Sequence, residues 1–214
     1  IYTVGKQKNP NFLVVANMKK SRLMAIHSFV DVAMPGETFV SRNPLDYLEL
    51  VSFDSVVAED MGTQWGLIPC YLMYTQGPKH YDPYGPRSGT VGLFFMHDIW
   101  AYIAGACQPY RKKALRVFRD EFKIGADDVV FHPYWDNQKF MTGDTVLPDG
   151  VEVSFYHRTK KNTSIWGVFN TTKQPQRVKV GVALRQLALT GAAIIVSDPF
   201  GDREAVMADN GVVE

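Results

Sequence analysis

Two apolar runs in this chain each end on a histidine, and carboxylates stand close by. Leu23-Met24-Ala25-Ile26 leads into His27-Ser28, and Val91-Gly92-Leu93-Phe94-Phe95-Met96 leads into His97-Asp98. Asp31 follows the first run, and Glu37 follows the turn Pro35-Gly36. Carboxyl groups do general acid–base chemistry when an apolar or like-charged setting keeps one of them protonated. An imidazole nearby can hydrogen-bond a ligand or steady a carboxylate. Trp65 lies between Gln64 and Gly66, while Tyr81 and Tyr84 belong to a Pro- and Gly-rich loop over 77–89. Such rings offer flat apolar faces that stack on ring-shaped ligands. Asp98 and Glu37 are thus the candidate catalytic residues. His27, Asp31, Trp65, Tyr81, Tyr84 and His97 are the candidate ligand contacts.

Each of these residues also has a structural reading. Asp98 could cap a helix over 99–106. Asp31 and Glu37 could be solvated loop acids, and His27 and His97 core imidazoles bonded to backbone. No metal site is expected. Cys70 and Cys107 lack ligand spacing and read as buried thiols, and the two histidines have no third ligand at a convincing distance in sequence. No cofactor is expected either. Ser28 lacks a Gly-x-Ser-x-Gly context, and Gly85, Gly89 and Gly92 have the wrong spacing for a dinucleotide fingerprint.

The elements that must position these groups are read from periodicity. Continuous apolar runs fit strands of a parallel sheet buried on both faces. Ligands of such sheets collect at the carboxyl ends of the strands, so His27, Ser28, His97 and Asp98 are expected to gather on one rim. Residues 11–16, 23–28 and 66–74 read as further strands, with Pro69 arguing against a central hydrogen-bonded position. Asn43-Pro44 opens a helix running to 59. Residues 110–123 form an amphipathic helix stopped by Gly125. Arg111, Lys112, Lys113, Arg116 and Arg119 lie on its wet face, and Ala114, Leu115, Val117 and Phe118 face inward.

After Trp135 the pattern changes to short strands over 151–156, 164–169, 176–182, 192–196 and 204–207. The first two are joined as a hairpin through Lys160 to Thr163. Trp166 and Phe169 are assigned to the core of this part. The expected fold is α/β plus all-β: a partial (β/α)8 barrel over 1–135, then an antiparallel β-sandwich over 136–214.

The formal net charge of +1 excludes a nucleic-acid binder that relies on a broad basic field. No apolar run is long enough to span a membrane. The chain opens on Ile1 and closes on strand-like sequence, which reads as part of a longer polypeptide. Open sheet edges would then favour self-association.

The cadence of the second half resembles the trailing sandwich of barrel-type glycoside hydrolases. It runs Val151-Glu152-Val153-Ser154-Phe155-Tyr156-His157-Arg158, then Ile165-Trp166-Gly167-Val168-Phe169-Asn170-Thr171-Thr172. Next come Arg177-Val178-Lys179-Val180-Gly181-Val182 and a late Ser197-Asp198-Pro199-Phe200-Gly201-Asp202. The first half carries Ala25-Ile26-His27-Ser28-Phe29-Val30-Asp31-Val32-Ala33-Met34-Pro35-Gly36-Glu37 and Phe95-Met96-His97-Asp98. It is similar to bacterial proteins grouped around glycoside hydrolase family 123. The resemblance implies a carbohydrate ligand and cleavage of glycosidic bonds by a carboxyl pair. It equally allows a non-catalytic glycan-binding or accessory module. A full barrel takes about 250 residues, so the resemblance implies its C-terminal half.

Overall fold

The structure is a computed structural model and describes residues 1–17, 24–34, 52–59, 66–75, 92–105, 108–172, 174–189, 195–199, 203–206 and 212–213. The chain divides into two compact units, Ile1–Arg111 and Lys112–Glu214. The expected boundary at 135/136 would cut Val129–His132 from the second half. That segment hydrogen-bonds to Val151–Arg158, which is why the second unit begins earlier.

In the first unit, helix α1 (Tyr2–Lys8) leads to strand β1 (Val15–Asn17). Gly5 of α1 is required by packing, because a Cβ there would collide with the Phe12 ring. The one-turn helix α2 (Met24–His27) precedes β2 (Val32–Met34). Helix α3 (Phe53–Glu59) precedes β3 (Ile68–Thr75), and β4 (Trp100–Gly105) closes the sheet. The four strands are parallel and stand in chain order, β1-β2-β3-β4. The sheet is open.

Several elements differ from the expected ones. The run over 23–28 holds helix α2, not a strand. In the run over 91–98, residues 92–96 are helical, with Leu93, Phe94, Phe95 and Met96 all buried. A helical segment that is apolar all round is a buried one. The residues after Asp98, readable as a helix, form β4 instead. The first strand occupies 15–17, one position past the end of the expected 11–16.

Pro69 does lie in a central strand, opposite Ala33 of β2. The Ile68 N–H donates to Asp31 O at 2.9 Å. Alternation then turns the N of Pro69 toward β4, where pairing starts only at Cys70. No ladder bond is lost. Cys70 is a thiol and half-buried rather than buried. Cys107 lies outside the described residues.

Helix α3 begins at Ser52, whose Oγ accepts the Ser55 N–H at 3.2 Å as an N-cap does. Asn43 and Pro44, the expected start, lie outside the described residues.

The helix expected over 110–123 is α4 (Gln108–Leu115), which widens into a π-helical turn over Arg116–Glu121. Phe122 N–H reaches back to Val117 O at 2.9 Å. Ala114 and Val117 are buried and Lys112, Arg116 and Arg119 exposed, but Leu115, expected inward, is exposed.

The second unit is antiparallel. Strands β5 (Val129–His132), β6 (Val151–Arg158) and β7 (Thr163–Asn170) form a three-stranded sheet in that order. Among the described residues, β8 (Val180–Gly181) pairs with β11 (Val212–Val213), and β9 (Ile195–Asp198) with β10 (Arg203–Val206). Bridges from Val146 to Lys179 and from Met141 to Val182 extend the edge beside β8. Register places Trp166 opposite Phe155 and Phe169 opposite Glu152. Trp166 and Phe169 are therefore on opposite faces of the sheet. Trp166 packs on the core of Phe140, Val153, Phe155, Val180, Val182 and Leu187. Phe169 is buried on the other face, so β6 is covered on both sides.

Candidate functional site

The geometry of the first unit separates the candidate residues by sheet edge. Asp31 immediately precedes β2, and His97 and Asp98 closely precede β4, with His27 ending the turn of helix before β2. These four stand where the chain enters the parallel strands. The carboxyl-end placement expected of His27, His97 and Asp98 is thus corrected: both apolar runs are helical turns leading into strands. The chain leaves the strands at Asn17, Met34, Thr75 and Gly105. Glu37 follows Met34 closely in sequence, and Tyr81 and Tyr84 belong to the segment that follows Thr75. Glu37, Tyr81, Tyr84 and Trp65 lie outside the described residues.

Asp31 is a brace. Its Oδ2 accepts the Val14 N–H at 2.9 Å, and its Oδ1 pairs with Lys6 Nζ of α1 at 2.9 Å. Its backbone N–H donates to Val14 O and its carbonyl accepts from Ile68. One residue thereby ties α1 and three strands together at the entry edge. The Lys6 hydrogen bond, helped by that from Val14, holds its carboxyl below the usual aspartate range.

Both histidines are enclosed. His97 is 0% exposed, its Nδ1 2.7 Å from Leu93 O and its ring edge-on to Phe53 at 4.8 Å. Burial pushes its pKa down, against the pull of the Leu93 carbonyl, so the ring is neutral at pH 7. His27 is 5% exposed, and neither ring nitrogen has a hydrogen-bond partner.

Asp98 is exposed, with φ 54°. The Ile99 N–H donates to Phe94 O at 3.1 Å and the His97 N–H to the same oxygen at 3.2 Å. A six-to-one bond around a left-handed residue is a helix C-terminal cap. Asp98 is a cap, but of the helix before it rather than of one after it. Aspartate is among the few side chains that visit this backbone region.

The second unit holds ionisable groups that sequence reading missed. Arg158 grips Asp128 through two hydrogen bonds, Nη2 to Oδ1 at 2.7 Å and Nε to Oδ2 at 3.0 Å, and both residues are buried. Its Nη1 donates to Phe122 O at 3.3 Å. The Arg158 hydrogen bonds hold the Asp128 carboxyl below its ordinary range, against the opposing effect of burial. On the other face, His132 stacks on Phe155 at 4.4 Å and meets Phe140 edge-on at 4.3 Å. Phe155 in turn stacks on Trp166 at 3.9 Å. The one sequence signal for this cluster was the aromatic density of Phe131-His132-Pro133-Tyr134-Trp135.

Trp135 follows β5 and remains 38% exposed, perpendicular to Tyr134 with ring centres 4.7 Å apart. Among the described residues, no group of three or more His, Cys, Asp or Glu side chains is placed to hold a metal ion. Among the same residues, no helix is long and apolar enough to cross a membrane. No family model matches the chain, and neither a curated protein nor a solved structure matches it significantly.

Proposed function

We propose that this chain is part of a carbohydrate-active protein of the barrel-type glycoside hydrolase kind, whose reaction is acid–base cleavage of a glycosidic bond. The observation that carries the reading is the parallel sheet in chain order, β1-β2-β3-β4, followed by an antiparallel unit. Strands that pair in sequential order suit consecutive β/α units, and such units carry their chemistry at the carboxyl edge. In sequence, Glu37 comes after Met34, the last residue of β2, and Tyr81 and Tyr84 come after Thr75, the last residue of β3. Glu37 is therefore the first candidate for the acid or base, and the two tyrosines are candidates to stack on sugar rings. Asp31, His97 and Asp98 suit a scaffold role at the entry edge, where side chains usually serve stability rather than chemistry.

Hydrolysis of a panel of aryl glycosides tests the reading. Glu37→Gln should lower turnover by at least about a hundredfold with an unchanged melting temperature. Asp98→Asn should leave turnover within a few-fold. The opposite pattern would move the acid to the entry edge, and a protein that neither cleaves nor binds any glycan would end the proposal.

A second reading, a glycan-binding module without catalysis, is favoured by the exposed Trp135. Its ring stands at right angles to Tyr134, and Asp136 and Gln138, near it in sequence, are exposed. An exposed indole with polar residues near it in the chain suits a pyranose. In the same panel, glycan binding without turnover that disappears in Trp135→Ala, with folding intact, would select this reading.

A further inference from the structure

We propose that the second unit contains an acid-sensitive latch in which His132 and His157 must both be uncharged for the aromatic face of the β5-β6-β7 sheet to stay packed. The register puts His132 opposite Phe155 and His157 opposite Val130. Alternation then sets both imidazoles on one face of the sheet, diagonal to each other. This is the face that carries Val153, Phe155 and Trp166 into the core. His132 lies between the rings of Phe140 and Phe155. His157 is buried, and its Nε2 has no hydrogen-bond partner. A proton added to either ring puts a charge among aromatic and aliphatic side chains, where burial makes the charged form expensive.

The charges acting on His132 are the neighbouring His157 and Lys139, which disfavour its protonation, and Asp136, which favours it. The residues opposite and next to His157 across the sheet, Val130 and Ser164, do not titrate. Burial, then His157 and Lys139, push His132 down to about 4, and burial lowers His157 as well. The unfolded chain takes up these protons near pH 6.5. Stability is therefore complete above that value and is lost as pH falls toward 4, where the penalty levels off. Asp31 and Asp128, held below 3.8, lose their contributions only at lower pH. Glu152, raised by burial, acts in the opposite sense within the window. His97 of the first unit acts in the same sense, so substitution at His132 is what isolates the latch.

The test is urea unfolding of the whole chain at pH 7.5 and pH 4.5, followed by near-ultraviolet circular dichroism. The unfolding equilibrium should shift toward the unfolded state by about a hundredfold on acidification. His132→Phe keeps a ring in the stack and should cut that shift at least tenfold. The full shift persisting in His132→Phe would overturn the proposal. A direct readout, independent of whether the variant folds, is the imidazole proton resonance of His132 in the native protein. It should begin to titrate only below pH 5 and lose its native line as the packing opens. Ordinary titration near 6.5 with the native spectrum intact would equally overturn it.

Discussion

At Asp98, charge and backbone conformation make separable demands. The residue stands at φ 54°, a conformation that costs most side chains about 1–2 kcal/mol. It ends the helical turn that buries Leu93, Phe94, Phe95 and Met96. Asp98→Val should destabilise the protein by roughly 1–2 kcal/mol, while Asp98→Gly should be close to neutral, because relief of the left-handed strain offsets the extra entropy of the unfolded chain. Urea midpoints of the two variants check this; equal losses would mean that the carboxylate, and not the backbone, matters. Asp98 after an apolar run is legible in the sequence as a capping residue. Which side the cap served was hidden, because that depends on whether the run is helix or strand. The Asp128–Arg158 pair was hidden for another reason. Two residues thirty positions apart meet only once the turn and register between β5 and β6 are known.

Among the elements, legibility followed side-chain branching. Strands β6 and β7 were visible in Val151-Glu152-Val153-Ser154-Phe155-Tyr156 and Ser164-Ile165-Trp166-Gly167-Val168-Phe169, rich in β-branched and aromatic residues. The two runs that read as strands, Leu23-Met24-Ala25-Ile26 and Val91-Gly92-Leu93-Phe94-Phe95-Met96, hold more Leu, Met and Ala than β-branched residues, which are Ile26 and Val91 alone. Leu, Met and Ala are strong helix formers, and a short apolar run does not by itself distinguish a strand from a buried helical turn. Strand β4, Trp-Ala-Tyr-Ile-Ala-Gly, was hidden by its alanines. In the second unit, Phe155 carries the sheet's packing on one face: it is 0% exposed and touches His132, Phe140 and Trp166 through its ring. Phe155→Ala should cost about 3–5 kcal/mol. Phe155→Leu should recover most of that loss, because much of the volume is restored. A loss below about 1 kcal/mol for the alanine variant would show that the ring stack is not where the unit's stability resides.

For the whole molecule, the two units follow opposite rules of sheet construction. Among the described residues, the first has four parallel strands, each reached by a connection long enough to hold a helix. The second has an antiparallel hairpin at its centre and its own cluster of buried side chains, from Phe140 to Leu187. Its buried ion pair is internal as well, since Asp128, Arg158 and the Phe122 carbonyl all belong to it. A chain of this length can bury enough surface to fold alone. A fragment beginning at Gln108, so that α4 stays whole, and ending at Glu214 should therefore unfold in one cooperative urea transition with a dispersed proton spectrum. The acid sensitivity of His132 should travel with it, because Phe140, Phe155, His157, Lys139 and Asp136 all travel too. A fragment that keeps secondary structure but binds hydrophobic dye and melts without a sigmoid would mean that this core is completed by residues before Gln108, and the division into units would then be one of geometry and not of stability.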